Sequence, residues 1–251
     1  MTDAFRGALY LLRGFRLITR PGIRRYAIIP VILNVLVFIG LIGVALDVFG
    51  TLMDRWLPAS DTALWMLLRG VLWLVVGLAT TLAVYFSFTV VANLLGAPFN
   101  GVLAEAVETT LNPGFSPISA SLGRVVADVP GALFNELKKI AYFSLWAIPL
   151  LTLFLIPVLA LFAPLIWGVF MAWMLALEYV EYPMSNHRQP FRSVRCWLAG
   201  NRAMGLGFGG AVMLAMLIPG INLLVMPAAV AGATTLWVEA KQPPPAIHHN
   251  D

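Results

Sequence analysis

Four long apolar stretches dominate the chain, and they fall into two classes by length. Residues 26–49 and 70–92 are each close to the ~20 residues that a helix needs to cross a ~30 Å hydrocarbon core, so we predict a membrane span at each. Residues 142–177 and 206–238 are longer than one span, shorter than two spans with a turn, and interrupted by prolines. We therefore predict two re-entrant helical hairpins, which penetrate the membrane partly and return to the side they came from.

An amphipathic pattern precedes the first span, over residues 3–20. On a helix, its arginines share one face and its apolar side chains occupy roughly the opposite face. The arginines are Arg6, Arg13, Arg16 and Arg20. Because such a helix lies in the membrane interface and binds anionic lipid, we interpret these arginines as surface anchors.

Composition agrees with a membrane protein. The chain has 251 residues, of which 60% are hydrophobic and only 11% charged, whereas soluble domains carry about 25% charged residues. We predict a single all-α membrane domain over residues 1–241, with cytoplasmic amphipathic helices, followed by a disordered tail at 242–251. The one cysteine, Cys196, excludes an internal disulfide and a multi-cysteine metal cluster.

The distribution of basic residues favours hairpins over single spans in the two long stretches. With hairpins, every lysine and arginine except Arg55 and Arg69 falls on one side of the membrane. The positive-inside rule makes that side, and with it the N-terminus, cytoplasmic. With single spans instead, the four-arginine segment at 188–202 would lie outside the cell.

Enzyme chemistry has little support in the sequence. The glycine-dense segment Gly205–Gly210 follows no strand pattern and lacks a closing lysine, so it indicates close helix packing and not a nucleotide-binding loop. The three histidines do not form a metal site with any nearby cysteine or carboxylate pair at ligand spacing. We expect no enzyme activity, no cofactor, no metal and no nucleic-acid partner.

A candidate anion site lies in the segment 19–26, between the interfacial helix and the first span. The amides of Gly22, Ile23 and Arg24 would stand free at a helix start, where anions bind. The guanidiniums of Arg24 and Arg25 add forked donors that match a tetrahedral oxyanion. The alternative is that both arginines are ordinary positive-inside anchors, and the residues alone favour that alternative.

The two long stretches also echo each other, since in both an Ile-Pro pair leads to a second proline and then to a tryptophan. Paired broken hydrophobic segments indicate a transporter's binding region. In the second stretch, Pro219 and Gly220 would end one helix and Asn222 would start the next, which places the hairpin tip and a part of the pathway there.

Glu105 and Glu108 follow a predicted helix break at residues 96–101 and share one helix face. Glu105 could pair with Arg24 or Arg25, or carry a co-transported proton. Glu108 is interpreted as an ordinary solvated charge.

Several segments together resemble one family. The first is Arg20–Tyr26 with Ile29-Pro30, and the others are Ala97–Glu105, Asp128–Pro130, Ala172–Ala176, Glu181–Pro183 with Asn186-His187, Ile218-Pro219 with Asn222-Leu223 and Met226-Pro227, and Gly232–Thr234. In this order they resemble the CysZ family of bacterial sulfate permeases, over nearly the whole chain.

The resemblance implies an inner-membrane, multi-pass protein that brings sulfate into the cytoplasm for sulfur assimilation and cysteine biosynthesis. It implies two long transmembrane helices with partly penetrating hairpins, and a sulfate-binding Gly-x-Arg-Arg segment that corresponds to Gly22, Arg24 and Arg25. Because two complete spans per chain make a thin wall for a conduit, we also predict a homo-oligomer. The alternative function is a membrane-embedded adaptor or structural protein whose basic face binds anionic lipid or a partner.

Overall fold

The computed structural model describes residues 2–56, 62–112, 114–115 and 122–241. Those residues form helices and turns without a strand, which confirms the all-α prediction. The helices are α1 (Asp3–Ile18), α2 (Arg24–Trp56), α3 (Ala63–Leu111), α4 (Leu122–Thr152), α5 (Pro157–Ala160), α6 (Ala163–Asn186), α7 (Phe191–Gly200), α8 (Arg202–Met216) and α9 (Asn222–Lys241), with a 3-10 turn at Leu153–Leu155. The predicted disordered tail, 242–251, lies outside the described residues.

The chain divides into two compact units. The first contains residues 1–27 and 100–251, and the second contains residues 28–99. In the second unit, the ring of Phe49 on α2 meets the edge of Trp73 on α3, with 4.1 Å between the ring centroids. Most other described apolar side chains of this unit are exposed on the chain, as lipid-facing or subunit-facing side chains are.

Five helices in the described residues are long and apolar enough to cross a membrane, where the sequence predicted two. They are Arg24–Leu52, Leu64–Tyr85, Leu137–Leu155, Ala163–Asn186 and Asn222–Lys241. The first two correspond to the predicted spans, the second starting six residues earlier than predicted. The other three are long enough to cross because each helix extends beyond the end of the apolar stretch on which the sequence prediction was based. Helix length therefore does not decide between full crossings and re-entrant hairpins.

Both long apolar stretches turn near their middle. In the first, α4 ends at Thr152 and α6 begins at Ala163, with a 3-10 turn and the short helix α5 between them. In the second, α8 ends at Met216 and α9 begins at Asn222. Contacts between α4 and α6, and between α8 and α9, make each stretch a helix–turn–helix unit.

Helix α9 forms the centre of the first unit, enclosed by α1, α6 and α8. Its small side chains between Ala228 and Thr235 are almost completely buried. The predicted interfacial helix α1 packs on α8 and α9 through Leu11, Leu17 and Ile18, although Phe5 remains exposed. The apolar face of α1 is therefore only partly available to lipid.

A charged contact fixes α1 against the end of α9. Nη1 of Arg13 donates to both carboxylate oxygens of Glu239, at 2.9 and 2.8 Å, and the hydroxyl of Tyr10 donates to Oε2 at 2.8 Å. Arg13 was interpreted as a surface anchor from the sequence, and its structural partner is this carboxylate. The contact lies on a partly exposed surface, so we expect it to orient α1 more than to stabilise it.

Glycines allow α6 and α8 to pack closely, as the glycine-dense segment predicted. A Cβ atom on Gly209 would lie 1.8 Å from the carbonyl oxygen of Ala172. A Cβ atom on the neighbouring Gly210 would meet nothing within 4 Å. This adjacent pair provides a matched test of helix packing.

We expect Gly209→Ala to destabilise the protein by about 2–3 kcal/mol, because α6 and α8 must separate to admit the methyl group. Gly210→Ala should be neutral or slightly stabilising, since alanine favours a helix by about 1 kcal/mol over glycine. Thermal unfolding of both variants in the same detergent measures the difference. Equal unfolding temperatures for the two variants would contradict the close packing of α6 and α8.

Candidate functional site

The turn between α1 and α2 is built by residues 19–23. Helix α1 ends at Ile18, and the hydroxyl of Thr19 donates to the carbonyl of Arg16 at 2.8 Å. Gly22 has a φ of +93°, a left-handed conformation that favours glycine. Glycine at this position allows the chain to reverse direction before α2 begins at Arg24.

Two of the three amides predicted to be free are already bonded. The N–H groups of Ile23 and Arg24 donate to the carbonyl of Arg20, at 3.2 and 3.1 Å. The side chain of Ile23 is 3% exposed and belongs to the core. Within the described turn, only the Gly22 amide has no backbone acceptor. The prediction of free amides was therefore wrong for Ile23 and Arg24, because the turn closes on the Arg20 carbonyl.

A cavity of about 350 Å³ lies beside this turn, inside the first unit. The turn and α2 contribute one wall and α3 contributes the other. Its lining residues are Arg20, Pro21, Gly22, Ile23, Arg25, Tyr26, Val102, Glu105, Ala106, Thr109 and Thr110. The candidate residues Gly22, Ile23, Arg25 and Glu105 therefore meet at one cavity, whereas Arg24 is exposed and does not line it.

Two guanidiniums line the cavity, those of Arg20 and Arg25. Nη2 of Arg25 donates to the hydroxyl of Tyr26 at 2.8 Å, and its guanidinium carbon lies 4.7 Å from the centre of that ring. Neither arginine has a carboxylate within 4 Å in the part of the chain that the structure describes. Most of their donors thus remain available to an anion.

Glu105 is the acidic residue on the α3 wall of this cavity. Partial burial raises the pKa of its carboxyl above the ordinary value, and the nearby negative charge of Glu108 raises that pKa further. In the described residues, Glu105 forms no ion pair with Arg24 or Arg25, so the structure does not include the predicted pairing. A carboxyl whose pKa is raised by burial and by a neighbouring charge is a candidate for proton exchange at a functional site.

Glu108 is buried behind the cavity, so the sequence-based interpretation of it as a solvated charge was wrong. It is 3% exposed, and its carboxylate oxygens lie 2.8 and 3.0 Å from Nε2 of His187. The expected helix break at residues 96–101 is also absent, since α3 continues to Leu111. Glu108 is buried because His187, which directly follows α6, supplies a partner that the local sequence does not reveal.

Two further contacts join this part of α3 to the end of α6. The side-chain amide of Asn186 donates to the carbonyl of Gly101 at 2.9 Å, and that of Asn100 donates to the hydroxyl of Tyr182 at 3.2 Å. These contacts connect the α3 wall to the core of the first unit. They therefore hold the Glu105 segment of α3 in place, although none of the four residues lines the cavity.

The predicted hairpin tip forms the turn between α8 and α9. Gly220 has a φ of +82°, and the amide of Asn222 donates to the carbonyl of Ile218 at 3.1 Å. Pro219, Gly220 and Asn222 are exposed on the chain and do not line the cavity beside Arg25. A role in a pathway stays a prediction for these three residues.

These helices define an all-helical multi-pass membrane protein, with a cavity lined by two arginines at the start of one candidate span. The sequence model of the family described as "Sulfate transporter CysZ/Etoposide-induced protein 2.4" matches residues 10–227, and the chain belongs to this family.

Curated relatives agree over almost the full length. A protein named "Sulfate transporter CysZ" from Pseudomonas aeruginosa (strain LESB58) is 41% identical over 238 residues, covering 94% of this chain and 95% of the relative. A protein of the same name from Salmonella enteritidis PT4 (strain P125109) is 38% identical over 237 residues, covering 93% and 92%. Another, from Pseudomonas fluorescens (strain Pf0-1), is 38% identical and covers 94% of both chains.

Proposed function

We propose that this protein is a sulfate permease of the bacterial inner membrane, which brings sulfate into the cytoplasm for sulfur assimilation and cysteine biosynthesis. One structural observation carries the proposal: Arg20 and Arg25 line one cavity without carboxylate partners in the described residues. The names of the relatives, which match over nearly their whole length, support sulfate as the anion.

Sulfate would enter the cavity beside the turn. Guanidinium N–H groups of Arg20 and Arg25 would donate to its oxygens, and the amide of Gly22 could add a third donor. The positive end of the α2 dipole adds a favourable field, because α2 begins directly after this turn. A volume of about 350 Å³ also leaves room for several waters at about 30 Å³ each, so the ion can remain partly hydrated.

Glu105 would make this site sensitive to protons. When the carboxyl is charged it repels sulfate, and when it is protonated the two guanidiniums act without an opposing charge. Burial and the nearby charge of Glu108 raise the pKa of this carboxyl above its ordinary value, which favours its protonated form. Protonation would therefore accompany sulfate binding at this cavity.

We further propose that both helix–turn–helix units are re-entrant and that the N-terminus is cytoplasmic. The one-sided distribution of lysine and arginine supports this orientation. The exposed apolar side chains of the second unit support contact with lipid or with another copy of the chain, and a conduit would form in a homo-oligomer. The hairpin tip at Pro219, Gly220 and Asn222 would contribute to the pathway.

Uptake of labelled sulfate into liposomes that contain only the purified protein tests this function. We expect uptake above that of empty liposomes, and competition by unlabelled sulfate but not by chloride at constant ionic strength. Absence of uptake by folded protein would contradict a self-sufficient permease. It would favour instead the membrane adaptor that binds anionic lipid or a partner.

A further inference from the structure

A second cavity lies in the first unit and shares no residue with the one beside Arg25. It has a volume of about 760 Å³ and is formed by α4, α6, α7 and the residue before α7. Its lining includes three basic residues and three large aromatic residues, namely Lys138, Arg192, Arg195, Tyr142, Trp146 and Trp173. No acidic residue lines it in the described part of the chain.

The basic side of this cavity belongs to α7. Arg192 and Arg195 are three residues apart, so they share a face of this helix, whose other face buries Val194 and Leu198. The guanidinium carbon of Arg195 lies 4.3 Å from the centre of the Tyr142 ring on α4. Neither arginine has a carboxylate within 4 Å among the described residues. The α7 side of the cavity therefore carries two guanidiniums that have no carboxylate partner among the described residues.

The aromatic side chains that line the cavity contact one another. The indole N–H of Trp173 donates to the hydroxyl of Tyr142 at 3.2 Å. The Tyr142 ring also meets Phe191 edge-on, with 6.0 Å between centroids. The cavity is thus built from side chains that fix one another across three helices.

The cavity changes from basic to apolar along α4. Lys138 is the second residue of the candidate span Leu137–Leu155, and Trp146 is eight residues further, about 12 Å along the helix axis. Leu145 and Trp146 are 70% and 53% exposed on the chain. The basic end therefore lies at the boundary of the span, and the apolar end lies within it.

We propose that this cavity binds an anionic phospholipid, with its phosphate at Arg192 and Arg195 and an acyl chain along Leu145 and Trp146. Basic pockets between membrane helices bind such headgroups, and the sequence places these arginines on the cytoplasmic side. Sulfate alone would leave the apolar part of the cavity unfilled. The proposal does not depend on sulfate transport.

Cys196 lines the same cavity, is exposed, and is the single cysteine of the chain. Its rate of modification by a maleimide therefore reports whether the cavity is occupied. We expect dioctanoyl phosphatidylglycerol to slow this modification in the purified full-length protein. Dioctanoyl phosphatidylcholine and inorganic phosphate should leave the rate unchanged.

A matched pair of variants tests where the headgroup binds. Arg192→Gln/Arg195→Gln should require roughly 30-fold more phosphatidylglycerol for the same protection, because each basic contact near a membrane surface is worth about fivefold. Arg188→Gln/Arg202→Gln removes the same charge from residues that do not line the cavity, and this variant should be protected like the wild type. Equal protection of the wild type by both lipids, protection by inorganic phosphate alone, or the same loss in both variants would overturn the proposal. If a variant does not fold, the comparison of the two lipids on the wild-type protein still tests whether the cavity prefers an anionic headgroup.

Discussion

Arg20→Gln/Arg25→Gln should weaken sulfate binding at least about 150-fold. Each variant side chain removes a charge-assisted hydrogen bond worth about 1.5 kcal/mol or more, and together they remove about 3 kcal/mol. Arg20 and Arg25 line the cavity and have no carboxylate partner in the described residues, so their replacement leaves no carboxylate unpaired. Isothermal titration of the detergent-purified variant with sulfate measures the effect.

Arg24→Gln is the matched control for this prediction. Arg24 carries the same charge next to Arg25, yet it is exposed and does not line the cavity. We expect its sulfate affinity to stay within about threefold of the wild type, since exposed charges interact weakly through water. If Arg24→Gln lost as much affinity as Arg20→Gln/Arg25→Gln, the Gly-x-Arg-Arg segment would bind sulfate in an arrangement other than the one described.

Glu105→Gln should remove the pH dependence of sulfate binding. In the wild type, affinity should rise as pH falls from neutral towards the ordinary carboxyl value of 4.5, because protonation removes the charge that repels sulfate. Sulfate itself stays a dianion over this range. The amide is neutral throughout, so the variant should bind sulfate about tenfold more tightly at pH 7.5, which corresponds to the loss of about 1.4 kcal/mol of charge repulsion. Titrations between pH 5 and 7.5 measure both effects.

The other charged groups near Glu105 define the control. Arg20 and Arg25 line the same cavity, while Glu108 and His187 form the pair behind it. Glu178→Gln removes a carboxylate that pairs with Lys139 away from the cavity, and it should retain the wild-type pH profile. A Glu105→Gln profile that still rises at low pH would contradict the assignment of the proton to Glu105.

Much of the fold could be predicted from hydrophobic patterning. The helix at the N-terminus, the two spans and the turns near Ile156 and Pro219 follow from apolar length and from proline and glycine. The lengths of α4 and α6 could not be predicted, because both helices continue beyond the apolar stretch, and the continuation of α6 is held by packing in the core of the first unit. The burial of α1 was also missed, since its apolar face fits lipid and the small residues of α9 equally well.

The candidate site was predicted in part. Gly22 and Arg25 were found because a glycine turn followed by arginines is a local pattern. Arg20 was assigned to the anchoring face, because the sequence extended α1 to residue 20 and the helix ends at Ile18. An earlier helix end, suggested by the following Pro21, would have moved Arg20 into the turn. The Glu108–His187 pair joins positions 79 residues apart, and no local pattern predicts such a contact.

A selenate complex tests the central claim most directly, because selenate is a tetrahedral dianion like sulfate and selenium scatters anomalously. Crystals of the full-length protein soaked in selenate should give an anomalous peak in the cavity, within hydrogen-bonding reach of the Arg25 guanidinium and the Gly22 amide. Arg20→Gln/Arg25→Gln crystals should lack that peak. A selenium peak elsewhere on the protein, with this cavity empty in the wild type, would contradict the assignment of the sulfate site.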